Sequence, residues 1–105
     1  METLADKLAL IGRHIDRATA ALASDHAASP VTRAVVGEFA RKHAKAVAAL
    51  PAANERDARE LVVEVEQAGD SAKVASEADV GASADSKKLV GIAHDSICVL
   101  KHETR

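Results

Sequence analysis

The sequence predicts an all-α protein, a small antiparallel bundle of four helices forming one domain. Three observations carry this expectation. Apolar residues recur at helical spacing in four separate segments. Helix-start residues stand at the head of each segment, and short connections divide all but the last. The composition is an alanine frame: nearly a quarter of the 105 residues are Ala, with one Phe and no Trp or Tyr.

The first segment covers residues 3–24. Leu4, Leu8, Ile11, Ile15, Ala18 and Leu22 are spaced 4, 3, 4, 3, 4, an apolar heptad seam. Thr3 is a suitable N-cap, and Asp6 stands where a capping box places its acid. Leu10 falls outside the seam and reads either as an ordinary exposed leucine or as part of a second contact face. Ser29-Pro30 opens the second segment, because Pro fixes φ and its missing N–H is not needed in the first turn. Its stripe is Val31, Val35, Val36, Phe39, Ala46, Val47 and Leu50, and Pro51 stops it.

Asn54 caps the third segment, with Asp57 three residues on and Leu61, Val62, Val65 and Ala68 on its apolar side. Val63-Glu64-Val65-Glu66 alternates like a strand, but strong helix formers flank it and favour helix. Residues 1–68 are thus well-patterned helix. Residues 69–84 are rich in Ala, Ser and charge, and are expected to be a weakly packed, mobile connection.

The last helix, residues 85–105, has apolar residues on most sides: Leu89, Val90, Ile92, Ala93, Ile97, Cys98, Val99 and Leu100. Residues 97–100 also fit a short buried strand. No internal sequence repeat is apparent. The basic side chains of segment two (Arg41, Lys42, Lys45) and the acidic ones of segment three (Glu55, Asp57, Glu60, Glu64, Glu66) favour an antiparallel pairing of these two.

Bulk composition narrows the function classes. Val, Ile, Leu and Phe make up only about 23% of the chain, so the core is thin. A second copy of the chain or another helical protein is a natural remedy. The seam and the last helix therefore nominate Leu4, Leu8, Ile11, Ile15, Leu22, Leu89, Ile92, Ile97 and Leu100 as interface residues of a homo-oligomer. A net charge of −2 argues against general nucleic-acid binding. No stretch is apolar over the length of a membrane span. No signal peptide is recognisable, and a cytoplasmic location is expected. The single Cys98 excludes an internal disulfide framework.

Chemistry is sparse. There is no Gly-rich phosphate loop and no nucleophile elbow, so the expectation is a non-enzymatic interaction or regulatory module. His43 sits between Val36, Phe39, Val47 and Leu50 at helical spacing and is expected to be a buried polar residue, satisfied by one hydrogen bond. His94, Cys98 and His102 follow one another at i, i+4, i+8 on the last helix. Imidazole and thiolate are ligands that Zn or Cu would select. The outer pair stand about 12 Å apart along the axis, so a complete site needs a ligand from another helix or subunit.

His14 is the third candidate. With Arg17 three residues on and Ala18 four residues on, its surroundings are similar over a few residues to histidine phosphotransfer domains, which have Lys and Gly there. That resemblance implies a phosphoacceptor role for His14. This chain departs from that pattern at both positions, with Arg17 for Lys and Ala18 for Gly.

Overall fold

A computed structural model describes residues 2–104. The described residues form four α-helices: α1 (Leu4–Ser24), α2 (Pro30–Ala49), α3 (Glu55–Ala78) and α4 (Ala84–Glu103). A 3-10 turn at Leu50–Ala52 separates α2 from α3. Among the described residues there is no strand, and residues 60–66 and 97–100 are helical. The alternation Val63–Glu66 gives way to helix because Val62 and Val65, three apart, share the buried side.

Each helix starts where a side chain can accept an orphan N–H. Thr3 and Asp6 exchange bonds in a capping box. Ser29, Asn54 and Ser83 accept from the backbone N–H groups of Thr32, Asp57 and Ser86.

The helices form a ring in which α1 packs on α2 and α4, and α3 packs on the same two. Bonds between elements show that neighbours run antiparallel. His43, late in α2, reaches Leu8, early in α1. Lys45 pairs with Glu64 across α2 and α3 at 3.1 Å, the contact that the charge pattern favours. Lys101 pairs with Glu66 across α4 and α3, and Lys7 with Glu103 across α1 and α4. The envelope is 42 × 23 × 20 Å.

The core runs through the centre of this ring. Leu8, Ile11, Ile15, Leu22, Val36, Phe39, Val62, Val65, Val90, Ile97 and Leu100 are all buried in it. This corrects most of the expected intermolecular interface: Leu8, Ile11, Ile15, Leu22, Ile97 and Leu100 are covered by the chain's own helices. Leu4 and Leu89 are half-buried against the same core. The thin composition is sufficient because alanines and glycines let the helices approach, so the apolar stripes meet each other.

In the stretch 69–84, helix α3 continues to Ala78. Its packing is closer than its composition suggests: Gly69, Ala72, Ser76 and Ala82 are buried, while Val74 and Val80 are exposed. Small residues are needed here: a Cβ on Gly69 would stand 3.1 Å from the ring tip of Phe39. The bulk missing from α3 is supplied from α2.

An internal repeat, not apparent in the sequence, emerges from burial. The buried positions of α1 are 8, 11, 12, 15, 18 and 22. Those of α3 are 62, 65, 66, 69, 72 and 76, each offset by 54. In α2, positions 32, 36, 39 and 46 are buried, and in α4 positions 86, 90, 93, 97 and 100. Only His43, half-buried opposite Ile97 in this numbering, breaks the match. Two helical hairpins, α1–α2 and α3–α4, therefore repeat one plan. A few residues coincide: Asp25/Asp79, Ala28/Ala82, Ser29/Ser83, Val36/Val90 and Gly37/Gly91.

The coincidence at the hairpin turns has a mechanism. Asp79, after α3, accepts from Ser29 N at 2.8 Å and Thr32 Oγ1 at 2.7 Å, at the start of α2. Asp25, after α1, accepts from Ser83 N at 2.8 Å and Ser86 Oγ at 2.9 Å, at the start of α4. Each hairpin turn thus caps the other hairpin's second helix, where a carboxylate is also favoured by the helix dipole. These bonds pull the Asp79 carboxyl down to about 2, the Ser29 N–H first and the Thr32 hydroxyl second. Asp25 is lowered by its Ser83 and Ser86 bonds. Arg33 closes the same end by donating to the carbonyls of Leu22 and Asp25.

Because the Asp79 pKa is lower folded than unfolded, its contribution is present above about pH 4 and is lost as pH falls from 3.8 towards 2. Urea midpoints measured across that window should fall for the native chain and fall less steeply for Asp79→Asn. Parallel curves would remove the role given to this carboxylate.

The two turns also touch. A Cβ on Gly81 would stand 2.0 Å from the carbonyl oxygen of Ala27, whereas one on Gly91 meets nothing within 4 Å. Gly81→Ala is expected to lower stability by about 1–3 kcal/mol through backbone displacement. Gly91→Ala in α4 is expected to raise it by about 0.5–1 kcal/mol. Thermal unfolding of both variants checks the opposite signs.

Candidate functional site

Two places in the fold hold groups that the core does not need. The first lies between α3 and α4. His94 and Cys98 are one turn apart on α4, and Cys98 Sγ is 3.3 Å from His94 Nε2. The opposing turn of α3 brings Asp70, whose Oδ1 is 2.6 Å from the same Nε2. Oxygen, nitrogen and sulfur donors of these three residues all lie within 4.8 Å of one another. Behind them Glu66, buried, places Oε2 3.9 Å from Cys98 Sγ and bonds Lys101 through Oε1 at 3.2 Å.

The electrostatics of this cluster are anionic. Burial pushes the Cys98 thiol up, and the carboxylates of Glu66, Asp70 and Asp95 push it further. The other ring nitrogen of His94, Nδ1, is buried without a hydrogen bond and lies 3.4 Å from Asp95 Oδ1.

The expected ligand set is corrected in one member. His102 is exposed near the end of α4 and does not join the cluster. Eight residues of helix carry it too far from His94, and the third donor comes instead from the neighbouring helix. Asp70 had no distinguishing signal in the sequence, since it lies 24 residues from His94 and is one acid among many.

The second place is the face shared by α1 and α4. A shallow groove there is lined by Lys7, Leu10, Ile11, Ser96, Val99, Leu100 and Glu103. Leu10 is 46% exposed and Val99 58%. Ile92, 38% exposed, continues the α4 stripe two turns before Val99. Of the residues nominated for an interface, Ile92 is the one left exposed. Leu10, outside the seam, is exposed on this same face.

The remaining histidines are placed differently. His43 is half-buried, and its Nε2 lies 2.7 Å from the carbonyl oxygen of Leu8, the single bond expected of it. Its ring covers Gly12, where a Cβ would come within 2.6 Å of Cε1. His14 is half-buried on α1. The small residue four positions on, Ala18, is buried in the core.

No known protein family, curated protein or solved structure matches this chain. Its sites are therefore read from their own geometry. The fold describes an α-helical bundle, and none of its described helices is long and apolar enough to cross a membrane.

The His43–Gly12 contact is open to direct test. Gly12→Ala should destabilise the protein by about 1–3 kcal/mol. Adding His43→Ala should restore part of the loss, giving a coupling of about 1 kcal/mol in a double-mutant cycle. Strict additivity would show that the ring does not bear on Gly12.

Proposed function

We propose that this protein is a helical interaction module that associates with a second copy of itself through the α1/α4 face. The reading rests on one comparison within the chain. The 54-residue offset pairs Leu10 with Glu64, Val99 with Lys45 and Ile92 with Glu38. On the α2/α3 side these positions are charged, and Lys45 and Glu64 pair with each other while Glu38 pairs with Arg41. One side of the repeat keeps a solvated ion-pair surface. The other replaces it with exposed leucine, isoleucine and valine, which the bundle's own packing does not require.

Charge favours a second copy as the occupant. Along the outer side of α1, Asp6 precedes Leu10, and Arg13 and Arg17 follow it. Two α1 helices crossing antiparallel at Leu10 would set Asp6 of each near the arginines of the other, an isologous arrangement. A face of the 42 × 23 × 20 Å envelope offers the ~800 Å² per partner of an ordinary stable interface.

Sedimentation over a dilution series should show a concentration-dependent dimer. Leu10→Glu and Val99→Lys should each shift it to monomer without changing helicity, since both side chains are largely outside the core. A native chain that stays monomeric at high concentration would overturn the reading. So would a dimer indifferent to both substitutions.

A further inference from the structure

We propose that Asp70, His94 and Cys98 form a binding site for a borderline divalent transition metal, with Zn²⁺ as the reference ion. This goes beyond the self-association reading, lies on another face of the bundle and does not depend on it.

Donor chemistry comes first. Carboxylate oxygen, imidazole nitrogen and thiolate sulfur together are a Zn-type set; a hard cation such as Mg²⁺ would not select the sulfur. The geometry is near what the ion needs. With bonds of about 2.0–2.3 Å, tetrahedral ligand atoms stand roughly 3.3–3.6 Å apart. His94 Nε2 and Cys98 Sγ are already 3.3 Å apart. Asp70 Oδ1, hydrogen-bonded to Nε2 at 2.6 Å, must move off Nε2 by under about 1 Å and turn towards Sγ, all three donors lying within 4.8 Å of one another. Its side chain is 52% exposed and free to do so.

Both neighbours converge on Nε2, which leaves Nδ1 as the outer nitrogen of the ring. Nδ1 is buried and lacks a hydrogen bond, with the exposed Asp95 carboxylate 3.4 Å away. A small rotation of Asp95 would let it accept the Nδ1 proton, the carboxylate–histidine–metal relay that orients ligating imidazoles. The ion would take the thiolate form of Cys98, and the thiol proton would leave to solvent. Three protein ligands leave a fourth position for water.

The internal repeat supplies an independent argument. The positions equivalent to Glu66, His94, Cys98 and Lys101 are Gly12, Ala40, Ala44 and Val47. The hairpin plan packs with small and apolar residues there, so it does not require this polar group. Asp70 has its counterpart in Asp16, and only the second hairpin surrounds that acid with His and Cys.

The test uses the full chain, titrated with Co²⁺ as a spectroscopic probe and then with Zn²⁺ in competition. The native protein should show a near-ultraviolet thiolate-to-cobalt charge-transfer band, absent in Cys98→Ser. Zn²⁺ affinity should fall at least about tenfold in Asp70→Asn, the scale on which even outer-shell partners of a ligand act. It should be unchanged in His102→Ala. Asp70 and His102 are exposed, so both variants keep the fold, and circular dichroism checks this. Absence of the band in the native chain overturns the site. Undiminished affinity in Asp70→Asn overturns it as a thiol acting alone, and lost affinity in His102→Ala overturns the ligand set.

Discussion

Asp25 and Asp79 exchange caps between the two hairpins at one end of the bundle. Each carboxylate ends one helix of its own hairpin and opens the second helix of the other. Neither hairpin can satisfy the first turn of its second helix in this way by itself. The buried Thr32 and Ser86 hydroxyls make their shortest bonds to the same two carboxylates, beside weaker contacts with Ser29, Ala75 and Ser83. The apposition of the turns, and with it the lack of a side chain at Gly81, follows from this exchange.

From that fixed end the core is filled by unequal partners. The offset sets Phe39 of α2 against Ala93 of α4, and Gly69 of α3 against Ile15 of α1. Phe39 lies over Gly69, and at the equivalent positions the large and small residues are exchanged between Ile15 and Ala93. Volume is conserved across the pair although neither half conserves it alone, which is the condition for native packing density. The same freedom explains where chemistry entered. Away from the central stripe the halves differ at most positions, giving ion pairs on the α2/α3 side, apolar residues on the α1/α4 side and mixed donors between α3 and α4.

Much of this fold was legible in the sequence, and the reason is local. The Thr3–Asp6 capping box, Ser29-Pro30, Asn54 and the heptad seam act within a turn or two of helix, so spacing alone reveals them. What escaped is non-local. Residues 69–84 read as weakly packed because Gly69, Ala72 and Ser76 carry no bulk of their own, and nothing near them in sequence shows that Phe39 supplies it. The seam read as an interface because periodicity says that a face is buried, not whether the same chain buries it. His94 and Cys98 were visible as an i, i+4 pair, but their neighbour Asp70 belongs to another helix. The repeat was hidden because it conserves burial and caps and very little identity.

The start of α1, the end of α4 and the linker between the hairpins lie together, opposite the exchanged caps. Lys7 and Glu103, bonded at 2.6 Å, bring the first turn of α1 to the last turn of α4. Residues 50–54 join α2 to α3 at the same end. Because the ring of helices closes on itself, its order carries no privileged starting point. Linking the end of α4 to the start of α1 and opening the chain at residues 50–54 would place the α3–α4 hairpin first and leave every helix contact in place. The bundle is in this sense circular, and its tether between halves serves proximity rather than topology.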